Sequence, residues 1–83
     1  MKTKLVHEIR RGLLVVRIRR ATTRDTICHM LSLHRLYKNG ELWHESTRFG
    51  SDDIPFVRFL LDEAHNWMIE QESGFSMGVE VGE

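Results

Sequence analysis

The hydrophobic positions of this chain change period at Gly50. Before it, apolar residues fall in short alternating runs, the pattern of strands with one covered face; after it, they recur at helical spacing. Residues 4–10 predict a first strand, with Leu5 and Ile9 on one side. Arg11-Gly12 reads as a turn, because glycine reaches positive φ without steric cost. Residues 13–20, LLVVRIRR, are rich in β-branched side chains and predict a second strand. Alternation puts Leu14, Val16 and Ile18 on one face, and Leu13, Val15, Arg17 and Arg19 on the other. Residues 22–25 are polar and read as a loop. Residues 26–37 predict a third strand, with Leu31, Leu33 and Tyr37 on one face. Residues 41–49 predict a fourth, with Trp43, Thr47 and Phe49 sharing a face.

Asn39-Gly40, set between apolar-containing runs, marks a hairpin. Two registers compete. A two-residue turn pairs Lys38 with Glu41 and sets Leu36 opposite Trp43. A three-residue turn with a bulge at Gly40 pairs Tyr37 with Glu41, and sets His34 opposite His44. The second is favoured, because it gathers Leu31, Leu33, Tyr37, Trp43 and Phe49 on one face, whereas a one-residue slip scatters them.

Beyond Gly50, Ser51, Asp52 and Asp53 are N-cap candidates whose charge complements the helix dipole. Pro55 falls in the first turn, where its missing N–H is tolerated. Ile54, Val57, Leu60, Leu61, Ala64, Trp67 and Met68 form an apolar stripe, predicting an amphipathic helix over residues 53–72. The expected architecture is α+β: a four-stranded antiparallel meander followed by one C-terminal helix packed on one sheet face. A single β-β-β-β-α domain occupies residues 1–72, and residues 73–83 are expected to be a flexible tail.

Composition narrows the class. Eighty-three residues make one small domain with a modest core, and oligomerisation is a common remedy for small cores. The single cysteine, Cys28, excludes an intrachain disulfide. The longest apolar run, residues 13–16, is far short of a membrane span, and no hydrophobic signal core follows the basic N-terminus. A soluble, cytoplasmic protein is expected.

The net charge is zero, yet residues 1–50 carry eleven Lys/Arg against four Asp/Glu, and residues 51–83 carry one against eight. Such asymmetry raises the question of an anionic partner. Catalytic constellations are missing. His7-Glu8 and His44-Glu45 lack the second histidine of a zinc-protease helix, since the fourth residue on is Arg11 or Arg48. Cys28 has no activating motif and reads as a small hydrophobe. The five histidines match no common zinc spacing. No enzyme activity, metal, cofactor or small-molecule substrate is expected.

The basic residues carry the functional reading. Arg17, Arg19, Ser32, His34, His44, Ser46 and Arg48 are expected on the uncovered sheet face, with Lys38 at its turn. Arginines there suit phosphates and unpaired bases. Arg17, Arg19 and Arg48 are the expected contacts to phosphates or bases, with His34, His44 and Lys38 secondary. The alternative is a solvated face on a protein-interaction or structural homodimer with no nucleic-acid ligand. Phe59 and Ile69 lie off the helix stripe, and Leu13 and Val15 lie off the covered face. These four are the expected dimer interface.

Residues 12–67 resemble a family of short, uncharacterised bacterial proteins. The resemblance rests on Arg35-Leu36-Tyr37-Lys38-Asn39-Gly40 with Trp43, on Phe49-Gly50-Ser51-Asp52-Asp53-Ile54-Pro55, and on Ala64-His65-Asn66-Trp67. It implies no transferable activity. The order of elements looks like that of the positive-cofactor-four group of transcriptional coactivators, which implies a dimer binding single-stranded nucleic acid across its sheets, in a transcription-related role. Relatives in the bacterial family tend to show an aromatic after the strand-two isoleucine. Here Ile18 is followed by Arg19, which either exchanges stacking by a ring for stacking by a guanidinium or removes the site.

Overall fold

A computed structural model describes the backbone of residues 2–80 and the side chains of residues 3–72. Four strands follow one another: β1 (Lys2–Arg11), β2 (Leu14–Thr22), β3 (Ile27–Asn39) and β4 (Leu42–Ser46). They form one sheet in that order, each neighbouring pair antiparallel. A 3-10 turn at Ser51–Asp53 leads into α1 (Ile54–Glu80), which packs on the sheet. The fold is the α+β meander-plus-helix that the change of hydrophobic period predicts. Helix α1 takes in residues 73–80, which the sequence reading assigns to the tail; residues 81–83 lie outside the described ones. Among the described residues no helix is long and apolar enough to cross a membrane.

The alternation in β2 decides where the core sits. Leu14, Val16 and Ile18 are buried and pack against Leu60 and Ala64 of α1. Val57, Trp67 and Met68 continue the helix stripe, and Val6, Ile9, Leu31, Leu33 and Phe49 close around it. Burying an aliphatic side chain of this size contributes roughly 1.5–3 kcal/mol. Ile54 and Leu61, at the margins of the expected stripe, stay largely exposed.

The helix lies over β1 and β2. A helix is about 10–12 Å across with its side chains, whereas four strands at about 4.8 Å spacing are wider. One helix therefore lies mainly over β1 and β2, reaches Leu31, Leu33 and His29 on the near part of β3, and leaves the hairpin end of β3 and β4 without a helix above them.

The structure departs from the sequence reading at two places in the sheet. The first is the hairpin. Asn39 pairs with Leu42, Lys38 with Trp43 and Tyr37 with His44. The turn residues are Gly40-Glu41, and Gly40 takes φ +67°, as a primed hairpin turn allows at its first central position. Neither competing register holds. The favoured one was preferred for gathering aromatics under the helix, but the helix does not reach that arm. Trp43 consequently sits on the uncovered face, while His44 sits on the helix side and stacks on Tyr37 at 5.3 Å. The second departure is a β-bulge at Val6, where Leu5 pairs with Arg19 but His7 pairs with Ile18. It turns Val6 and Ile9 into the core and leaves Leu5 on the opposite face, so Leu5 and Ile9 do not share a side.

Two local devices hold the meander. Gly12 starts the two-residue turn between Arg11 and Leu14 at φ +60°. A side chain in that left-handed region costs roughly 1–2 kcal/mol, so Gly12→Ala is expected to lower stability by about that much. Urea unfolding checks it, and an unchanged midpoint would contradict the strained turn. At the helix entry, Gly50 N–H donates to Asp53 Oδ2 at 2.8 Å and Asp53 N–H donates to Gly50 O at 3.0 Å. Arg35 Nε lies 3.3 Å from the same carboxylate oxygen, tying the start of the helix to β3. The N-cap is therefore Gly50, and Asp53 closes the capping box from the third position; none of Ser51, Asp52 and Asp53 is itself the N-cap.

Candidate nucleic-acid interface

The face that α1 leaves open is built from the strand positions that alternate with the core. In register across it lie Glu8 and Arg10 of β1, Val15, Arg17 and Arg19 of β2, Met30, Ser32, His34, Leu36 and Lys38 of β3, and Trp43 and Glu45 of β4. Trp43 is its most exposed aromatic, with 58% of its surface accessible. Lys38 sits opposite, its ammonium 5.9 Å from the Trp43 ring centroid, a cation–π distance. Arg10, Leu13, Arg17, Leu36, Trp43 and Glu45 line a shallow cleft of about 340 Å³.

Arg17 is more committed than the sequence suggests. Its Nη2 donates to Glu45 Oε2 at 2.6 Å, and its Nε lies 3.5 Å from Glu8 Oε2. Glu8 also lies 3.7 Å from Arg10 Nε. The guanidinium thus bridges the outer strands β1 and β4. The hydrogen bond to Glu45 raises the Arg17 pKa above its ordinary value, and its reciprocal holds the Glu45 carboxyl below the usual range. The sign for Glu45 is that of a depressed acid: its stabilising contribution is present above the ordinary carboxylate pKa and is lost as pH falls through the folded value. Acidification therefore releases Arg17.

His34 shares this face, its Nδ1 3.9 Å from Glu45 Oε1. That is too long for a hydrogen bond, and the nitrogen is buried with no hydrogen-bond partner. Arg19 is exposed and makes no ion pair among the described residues, so it remains available to a ligand. The structure therefore gathers Arg17, Arg19, His34 and Lys38 on one face. His44 is not among them, because of the register. Arg48 is not on the sheet either: β4 ends at Ser46, and the Arg48 N–H donates to Ser46 Oγ in the connection to the 3-10 turn. His34 and His44 do not face each other, and among the described residues no group of three or more His, Cys, Asp or Glu could hold a metal.

Two residues of the face escape sequence reasoning. Trp43 reaches it through the hairpin register, and Arg10 through alternation from Ile9, whose side chain faces the core. The paired glutamates are invisible for the same reason, since only the register brings Glu8 and Glu45 to Arg17.

The expected dimer residues divide. Leu13, Phe59 and Ile69 are exposed. Phe59 carries Arg11 over its ring at 4.2 Å. Val15 is fully buried within the single chain and offers nothing to a partner. It points to the open face, but Arg10, Arg17 and His34 beside it close over it with their long side chains.

At the opposite end of the helix side, His7 stacks on Trp67 at 4.6 Å and His29 meets the same ring edge-on at 5.7 Å. Arg20 Nε donates to His29 Nε2 at 3.3 Å. A guanidinium has no acceptor, so His29 Nε2 accepts and the proton resides on Nδ1, facing Glu72 Oε2 at 3.3 Å. These histidines are structural partners of Trp67, which anchors the far end of the helix.

A search with the sequence finds no matching family model, and comparisons with curated proteins and with solved structures return no match.

Proposed function

We propose that the uncovered sheet face is a non-enzymatic binding surface for single-stranded nucleic acid, in a transcription-related setting. The observation that carries this reading is the exposed Trp43 set among Lys38, Arg10 and Arg17. Single strands are bound by aromatic platforms on which bases stack, beside cations that follow the backbone. Arg19 and Lys38 meet phosphates, Trp43 stacks a base, and the partly exposed His34 ring is a secondary contact. Four cations on the face, Arg10, Arg17, Arg19 and Lys38, outnumber Glu8 and Glu45.

Fluorescence anisotropy with labelled single-stranded oligonucleotides tests the proposal. Binding at micromolar protein in low salt, falling steeply at physiological salt, is the expected result. No binding in low salt sinks it. Glu45→Gln is expected to tighten binding by about two- to fivefold, because it frees Arg17 from a surface pair of modest strength. A loss of binding in that variant would mean that the glutamate itself contacts the ligand.

A second reading, a structural homodimer without nucleic acid, is favoured by one observation. Among the described residues, twelve large hydrophobic side chains are exposed while seven hydrophobic residues are buried. So much bare apolar surface suits an interface.

A further inference from the structure

Strand β3 is longer than its outer neighbour. It spans Ile27–Asn39, and β2 pairs with it over residues 27–35. Strand β4 pairs with it only over residues 35–39. The first half of β3 therefore has no strand on its outer side. The Leu36 N–H donates to Leu13 O at 2.7 Å, which sets the phase of the antiparallel ladder. Hydrogen-bonding direction alternates along a strand, so Ile27, His29, Leu31 and Leu33 turn their N–H and C=O groups outward. Among the described residues no backbone hydrogen bond from outside β2 reaches them.

Open edges are normally blunted by charge, proline, bulges or shortness. The two other outer edges follow that rule. Strand β1 carries Lys4, Glu8, Arg10 and Arg11 and the bulge at Val6, and β4 is only five residues long. Residues 27–34, ICHMLSLH, contain no Lys, Arg, Asp, Glu, Pro or Gly. Ile27 and Met30 on this stretch are each 43% exposed. This is a pairing edge without the usual protection.

We propose that residues 27–33 of β3 pair antiparallel with the same residues of a second copy, across a twofold axis at Met30. Two four-stranded sheets then become one continuous sheet. The occupant follows from the symmetry of the slot. Centred on Met30, the pairing sets Ile27 opposite Leu33 and His29 opposite Leu31, all with outward-turned backbone groups. It stops where β4 begins, at the Arg35 and Ser46 pair. Moving the axis to Leu31 drives Ile27 onto Arg35, whose outer side is already taken. An uncharged segment can face its own copy without like-charge conflict. The interface differs from the one expected at Leu13, Val15, Phe59 and Ile69, and it does not depend on nucleic-acid binding.

Met30 occupies the centre in a non-hydrogen-bonded pair, the closer of the two antiparallel spacings, at about 4.5 Å between Cα atoms. It faces only itself, so charge reversal tests the register. In sedimentation velocity the wild-type chain is expected to be a dimer. Met30→Lys and Met30→Glu are each expected to be folded monomers by circular dichroism, since the side chain is exposed in the single chain. An equimolar mixture of the two is expected to restore the dimer. Leu13→Lys is expected to leave the dimer intact. A monomeric wild-type chain, a dimeric Met30→Lys variant, or a mixture that stays monomeric overturns the proposal. So does dissociation by Leu13→Lys alone. Cys28→Ser combined with Met30→Cys is expected to form an interchain disulfide under mild oxidation, because that Cα spacing lies in the disulfide range; failure to cross-link counts against the register.

Discussion

Trp43→Ala is expected to weaken single-stranded oligonucleotide binding by about 5- to 150-fold, the range implied by roughly 1–3 kcal/mol for one stacked base. The fold should be untouched. Trp43 is 58% exposed and lies on the arm that the helix does not cover, so its truncation opens no core cavity. The slope of affinity against salt should also stay the same, because that slope counts neutralised phosphates and the indole carries no charge. Arg19→Ala should do the reverse, with a shallower slope and a smaller loss. Anisotropy titrations of wild type and the Trp43→Ala variant at several salt concentrations separate the two terms. Equal affinities in wild type and variant would remove the stacking platform from the account, and with it the main support for a nucleic-acid ligand.

The largest effect on stability is expected from Leu60→Ala, a loss of about 2–5 kcal/mol. Leu60 is 0% exposed and packs in one cluster with Leu14, Val16, Ile18 and Ala64. Ala64, one turn along, is already small and cannot fill the void. Domains of this size hold only about 5–15 kcal/mol in total, so the variant should lose a large fraction of its stability. Leu61 is the internal control. It neighbours Leu60 in sequence but is 40% exposed, and its truncation should shift stability little. Denaturant unfolding followed by tryptophan fluorescence compares the three chains. Similar losses at both positions would mean that the helix is not docked through this stripe.

The parts of the fold that were readable from sequence are those decided by short-range rules. The alternation of Leu14, Val16 and Ile18 announces the buried face of β2, and the 3.6-residue recurrence of Val57, Leu60, Ala64 and Trp67 announces the helix that covers it. Asn39-Gly40 locates the hairpin, but the turn lies one residue further on, at Gly40-Glu41. Both Asn-Gly and Gly-X pairs satisfy primed turns, and the choice between them depends on what the hairpin packs against. The apolar side chains of the arm have the alternation of core residues, but one helix is too narrow to cover four strands. The bulge at Val6 has no glycine or other local signature. From those two events follow the reassignment of Trp43 and His44, the exposure of Leu5 and the capture of Arg17 by Glu8 and Glu45. Arg48 was misplaced because β4 stops at Ser46, whose side chain accepts a bond from the next turn of chain.

The half-covered sheet also sets a gradient of local stability along the molecule. Strand β2 has neighbours on both edges and the helix above it, so it opens only when the whole domain unfolds. Strand β4 is short, lies at the sheet margin and has no helix over it. Its hydrogen bonds with β3 can break while the core stays intact, at a free energy well below the global value. The indole of Trp43 is thus mounted on the segment that opens first. A ligand seated there would have to quiet that motion, and part of its intrinsic affinity would go into ordering the arm.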